Sequence, residues 1–158
     1  MGGGIKIKES PGPPDGYLAS QTIYELAQLH STLEDVFEIH FSRFGLSWPK
    51  FNALIHLYMT GDRGLIQTEL GNKMLVSRAN ITGLIGRLEK EGLVVRKNDP
   101  SDKRVFRVCL TNRACALIQS FLPIHNSYMQ KIMSTLDIQE KEVLISLIRK
   151  LNKGLNSI

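Results

Sequence analysis

Val76-Ser77-Arg78-Ala79-Asn80-Ile81-Thr82-Gly83-Leu84-Ile85-Gly86-Arg87-Leu88-Glu89-Lys90-Glu91-Gly92-Leu93-Val94 decides how this chain is read. Ile81, Leu84, Ile85 and Leu88 recur at three- and four-residue steps and form one apolar stripe of a helix. Ala79, Thr82, Gly83 and Gly86 fall opposite, flanked by Arg78, Asn80 and Arg87. Ser77 stands where the helix starts, and Gly92 is a good residue just past its end. Large side chains on the outer face would hold such a helix away from base edges. Small ones let it sit deep in a DNA major groove, while Ser77, Arg78, Asn80 and Thr82 offer donors and acceptors to bases and phosphates. The plain alternative is that Gly83 and Gly86 serve close helix–helix packing. Helix-interior glycine costs about 1 kcal/mol and needs some reason.

Strand residues follow at once. Leu93 to Lys97 and Val105 to Leu110 read as two strands around the polar turn Asp99-Pro100-Ser101-Asp102-Lys103-Arg104. Asp102 and Arg104 are two apart, so on a strand they share a face and the carboxylate can orient the guanidinium. An oriented arginine at a ribbon tip suits a narrow minor groove, and Lys103 suits phosphate. An ordinary exposed salt bridge, worth about 0–1 kcal/mol, is the alternative.

Outward from this segment the chain is mainly helical. Tyr17 to Phe44 carries Leu18, Ile23, Leu26, Leu29, Leu33, Val36 and Phe37 at helical spacing. Ser47-Trp48-Pro49 opens a second helix that ends near Gly61. A short helix is expected from Gln67 to Met74, with Gln67 and Thr68 at its leading end. Thr111 caps a long helix to about Leu136, kinked at Pro123, and Asp137 caps the last one. The expected fold is mainly α with a small antiparallel β-wing: a winged helix-turn-helix over 46–111, flanked by dimerisation helices over 17–45 and 112–156. Residues 1–16, rich in Gly and Pro, read as a flexible arm. The outer helices are apolar on more than one stripe, which predicts a homodimer.

The net charge is +5, and its placement is informative. Residues 65–113 hold ten Lys/Arg against five Asp/Glu, so the excess lies on the segment of the helix and hairpin. Such a patch draws polyanions. No apolar run approaches the ~20 residues that span a bilayer, and the N-terminus lacks an apolar signal region, so a cytoplasmic protein without membrane attachment is expected. No nucleophile–base pair, metal motif or phosphate loop is visible, which argues against an enzyme.

Gln67-Thr68-Glu69-Leu70, Val76-Ser77, Thr82, Arg87-Leu88-Glu89-Lys90, Gly92-Leu93-Val94, Asp99-Pro100-Ser101-Asp102-Lys103-Arg104 and Leu110-Thr111 together resemble the MarR (multiple antibiotic resistance regulator) family. The wing segment is the most diagnostic part. The resemblance implies a homodimeric transcriptional regulator, usually a repressor, that binds a pseudo-palindromic double-stranded operator, with each wing reaching the minor groove. It also implies a small aromatic or phenolic effector held between the dimerisation helices and the winged helix. The DNA-binding candidates are Gln67, Thr68, Ser77, Arg78, Asn80, Thr82, Lys103 and Arg104, with Asp102 positioning the wing. Three residues depart from the family pattern: Gly71 stands for alanine, Leu75 for a common glycine, and Gly83 for arginine or another polar residue. A winged-helix module for protein contact is the competing function, but it would need an apolar outer face on the groove helix.

His40, Arg43, Phe44, Trp48 and Phe51 are candidates to border an effector pocket where the first two helices meet; ordinary aromatic packing is the alternative. His30, Glu34 and Glu38 step by four along the first helix, and His125 lies far away in sequence. No compact His/Cys cluster exists, so neither a metal site nor a cofactor is expected. The two cysteines, Cys109 and Cys115, form no framework, and the redox regulators of the family carry their reactive cysteine near the first helix, where this chain has none.

Overall fold

The computed structural model describes residues 16–157, so the arm expected over 1–16 lies outside the described residues apart from Gly16. The order is α1 (Tyr17–Ser42), α2 (Trp48–Thr60), a 3₁₀ turn (Gly61–Arg63), β1 (Leu65–Ile66), α3 (Gln67–Met74), α4 (Arg78–Lys90), β2 (Val94–Asn98), β3 (Phe106–Leu110), α5 (Asn112–Ile132), a second 3₁₀ turn (Met133–Thr135) and α6 (Ile138–Leu155). Two compact units meet in sequence at Phe51 and Asn52. Among the described residues no helix is long and apolar enough to cross a membrane.

The first unit is α1 with the opening turn of α2. Its packing is aromatic: Phe37 stacks on Trp48 with ring centres 5.4 Å apart, and Phe41 lies 5.2 Å from Phe51. Ser47 starts α2 as expected, its Oγ 3.5 Å from the Lys50 amide. The N-terminal two-thirds of α1 leaves Leu18, Ile23, Tyr24 and Leu29 exposed.

The second unit contains the helix-turn-helix and the sheet. Ile81, Leu84, Ile85 and Leu88 are the buried residues of α4, as the helical period predicts, and Leu70 and Met74 of α3 are buried too. Ser77 Oγ accepts the Asn80 amide at 3.3 Å and so caps α4. The helix ends at Lys90, and Gly92 just beyond it has a φ of +67° that suits a residue without Cβ. Arg113 reinforces that end by donating to the Glu91 carbonyl at 3.0 Å.

The sheet has three strands in the order β1-β3-β2, all antiparallel. The sequence suggested only two strands. The third, β1, pairs Leu65 with Val108 and Ile66 with Arg107, which ties the start of α3 to the wing. Two residues give no periodicity to read, and their partner lies some forty residues on.

Thr111 and Asp137 cap α5 and α6 through the Ala114 and Glu140 amides at 3.2 and 2.8 Å. The Asp137 amide in turn donates to the Glu140 carboxylate at 2.8 Å. The helical assignment of α5 is continuous through Pro123 and stops four residues short of the expected Leu136. On α6 no residue is buried, while Val143, Leu147, Ile148, Leu151 and Leu155 are all exposed. An amphipathic helix with an uncovered apolar face is what the dimerisation expectation requires of a single chain.

Candidate nucleic-acid interface

Three parts of the second unit carry the predicted contact residues: the start of α3, the outer face of α4, and the tip of the β2–β3 ribbon. On α4, Arg78, Ala79, Asn80, Thr82 and Gly83 are exposed and Gly86 is half-buried. A Cβ added at Gly86 would meet nothing within 4 Å, and one at Gly83 would meet only the flexible end of Arg87, at 3.5 Å. Close internal packing is therefore not what either glycine serves. The contrast is Gly71 on α3, where an added Cβ would touch Ile81 at 3.4 Å.

Two predicted contact residues are bonded to each other. Gln67 Nε2 donates to Thr82 Oγ1 at 2.6 Å, and the Thr82 hydroxyl donates to the Arg78 carbonyl at 2.7 Å. Thr82 is thus engaged within the fold, a correction to its expected availability as a donor. Ser77 Oγ accepts the Asn80 amide in the α4 cap, a bond that leaves its own O–H as a donor. Thr68, Arg78, Asn80 and Lys103 are exposed.

At the ribbon tip, Asp102 holds Arg104 as the spacing suggested. Arg104 Nε and Nη2 donate to the two carboxylate oxygens of Asp102, each at 3.1 Å, while the Arg104 side chain stays 90% exposed. The local reason differs from the expected one. These residues lie in a turn closed by the Val105 amide on the Asp102 carbonyl at 2.9 Å, not on a strand, and Asp102 also takes the Arg104 amide at 3.0 Å. The bidentate bond to Arg104 keeps the Asp102 carboxyl below its usual range and raises the arginine.

Sequence reasoning missed the group that organises this turn. Asp99, buried, accepts the Ser101 and Asp102 amides at 2.7 and 3.3 Å through one oxygen and the Arg107 guanidinium through the other. Arg107 reaches on to the Gly64 carbonyl at 3.4 Å. The Ser101 amide first, then Arg107, hold the Asp99 carboxyl below the usual carboxylate range. The Asp-Pro step marked a turn. Nothing local marked Arg107, because its role depends on strand register.

Of the expected effector residues, His40 lies 6.1 Å from Phe44 and Trp48 lies 6.3 Å from Phe51 between ring centres. His40 and Phe51 are buried in the aromatic packing of the first unit, and burial, then the Arg43 charge, lower the His40 pKa. A cleft of about 600 Å³ does open along α1, but of the five candidates only Trp48 lines it, beside Phe37, Glu34 and Glu38. His40, Arg43, Phe44 and Phe51 are not among its lining residues, which include His30 and Leu33. Among the described residues no three His, Cys, Asp or Glu side chains are grouped to hold a metal ion. Cys109 is buried and Cys115 half-buried, both as free thiols.

A capped helix with a thin outer face, led by a shorter helix and followed by a basic β-ribbon, defines a winged helix-turn-helix protein. The MarR family model matches residues 46–106. The HTH-type transcriptional repressor YetL of Bacillus subtilis is 32% identical over 131 residues, covering 83% of this chain and 78% of that protein. The HTH-type transcriptional regulator MhqR of the same organism is 29% identical, over 84% of this chain and 88% of its own length. A probable transcriptional regulator from Pseudomonas aeruginosa superposes with a TM-score of 0.74 at 29% identity, over 85% of this chain and 98% of that one. The chain belongs to the MarR family of transcriptional regulators.

Proposed function

We propose that the chain works as a homodimeric repressor that sets α4 of each copy in successive major grooves of a pseudo-palindromic operator and places Arg104 of each wing in the flanking minor groove. The observation that carries this reading is the pair of outward glycines on α4. Each costs about 1 kcal/mol of helix stability relative to alanine. Neither is compensated by internal packing, since added Cβ atoms would meet open space or one mobile side-chain end. A face thinned at that cost suits a surface that another body approaches closely. The surrounding excess of Lys and Arg makes that body a polyanion.

Every large apolar residue of α4 is buried, which disfavours a protein-contact module. The uncovered apolar faces of α1 and α6 supply the dimer contacts. The relatives named as repressor and regulator support transcriptional control. A small aromatic effector that stacks on Trp48 in the α1 cleft would be the releasing signal.

The test is selection of duplexes from a random pool by the full chain, with sedimentation of the bound species. The expected result is a two-half-site motif with half-sites about one helical turn apart and two chains per duplex. No enrichment, or a monomer on a single half-site, would contradict the proposal.

A further inference from the structure

The Gln67–Thr82 bond fixes more than a contact between two helices. A hydroxyl carries one proton, and that of Thr82 goes to the Arg78 carbonyl at 2.7 Å. Thr82 Oγ1 can therefore meet Gln67 only as an acceptor. The amide nitrogen must face it at 2.6 Å, which removes the usual ambiguity between amide nitrogen and oxygen. Gln67 is the first residue of α3 and half-buried, whereas Thr82 lies on the exposed strip of α4 next to Gly83. The bond thus draws the Gln67 head group off its own helix and onto the face of α4 that the glycines thin.

In that position Gln67 keeps Oε1 and its second amide N–H, neither of which has a hydrogen-bond partner among the described residues. An acceptor and a donor side by side match the major-groove edge of adenine, which offers the N6 amino group and the N7 acceptor. A phosphate offers acceptors only and would leave Oε1 facing negative charge. We propose, on the reading that α4 occupies the major groove, that Gln67 is a specificity-determining residue for one adenine in each half-site. Thr82 is then a positioning residue, which aims the amide and does not itself read a base.

The experiment repeats the duplex selection with the full chain as wild type, Gln67→Ala, Thr82→Val and Thr82→Ser. Thr82→Val keeps the shape of the side chain and loses the hydroxyl; Thr82→Ser keeps the hydroxyl. The inference expects one adenine in each wild-type half-site whose discrimination, on the order of tenfold, disappears in Gln67→Ala and Thr82→Val. The other positions should be unchanged, and Thr82→Ser should restore the preference. Uniform weakening at every position would overturn it, because that is how a phosphate contact or a damaged fold behaves. A preference that survives Gln67→Ala, or a Thr82→Val profile equal to wild type, would overturn it too. If the wild-type chain selects no motif at all, the DNA-binding reading falls along with this inference; a motif indifferent to Gln67 removes the inference alone.

Discussion

One carboxylate, that of Asp99, joins Arg107 on β3 to the backbone of its own turn: the guanidinium binds one oxygen, and the Ser101 and Asp102 amides bind the other. Arg104, the exposed arginine at the ribbon tip, is held by Asp102, and Asp102 is held by this arrangement. Asp99→Ala should therefore lower DNA affinity without removing any residue that touches DNA. Leaving the Arg107 guanidinium and two amides without their acceptor should cost about 1–3 kcal/mol of local order. Amide hydrogen exchange over 99–105 should speed up while that of α4 stays slow. Unchanged exchange in the turn would contradict the assignment.

Arg104→Ala should weaken DNA binding by about 1–3 kcal/mol and leave the melting temperature nearly unchanged, since its pair with Asp102 is exposed. Arg78→Ala should alter sequence preference more than Lys103→Ala does, because a base contact reads sequence and a phosphate contact does not. Binding isotherms on selected and random duplexes separate the two effects. Equal losses on both duplexes for Arg78→Ala would count against base reading by Arg78.

Much of this surface was legible in the sequence. The apolar stripe of α4 and its Ser77 cap follow from short-range periodicity, and both stand in the structure. Asp102 and Arg104 are two apart in the chain, so their contact needs only the local turn that joins them. By contrast, β1, the Asp99–Arg107 pair and the Gln67–Thr82 bond link residues 8 to 43 positions apart, through register and helix crossing that no local pattern encodes. Of the expected effector residues only Trp48 lines the α1 cleft, for a related reason. Aromatic residues at a helix junction can as readily fill it as line it, and His40 and Phe51 fill it.

Leu147→Glu combined with Leu151→Glu should give a monomer. Both side chains are exposed on the single chain, and burying each in a dimer would contribute about 1.5–3 kcal/mol. Sedimentation at micromolar concentration checks it, and DNA affinity should fall in step. A dimer that persists would move the interface away from α6.

Acid should destabilise the protein in two stages. Burial, followed by a nearby cation, holds His40 and His56 below their ordinary value of 6.5, so both are preferentially neutral when folded. Their contribution is complete above that value and is lost as pH falls through the lowered native values. Asp99 and Asp102 are held below 3.8, and their contribution to the wing is lost only as pH falls beneath that. Thermal melts between pH 8 and pH 3 should show a decline beginning near neutrality and a second one at the acid end. Stability that rises between pH 7 and pH 5 would contradict this order.

Gly83→Ala and Gly86→Ala bear most directly on the central claim, that the outer face of α4 is thinned for DNA. Each should raise unfolding free energy by about 0.5–1 kcal/mol, because alanine favours the helix and meets no obstruction. Gly71→Ala, away from that face, should stabilise comparably and leave DNA binding intact, since its new Cβ makes ordinary contact with Ile81. The decisive measurement is operator affinity of these three variants beside their unfolding free energies. Stability up with affinity down at Gly83 and Gly86, and stability up with affinity unchanged at Gly71, is the expected result. Full operator affinity in the stabilised Gly83→Ala and Gly86→Ala proteins would contradict the account.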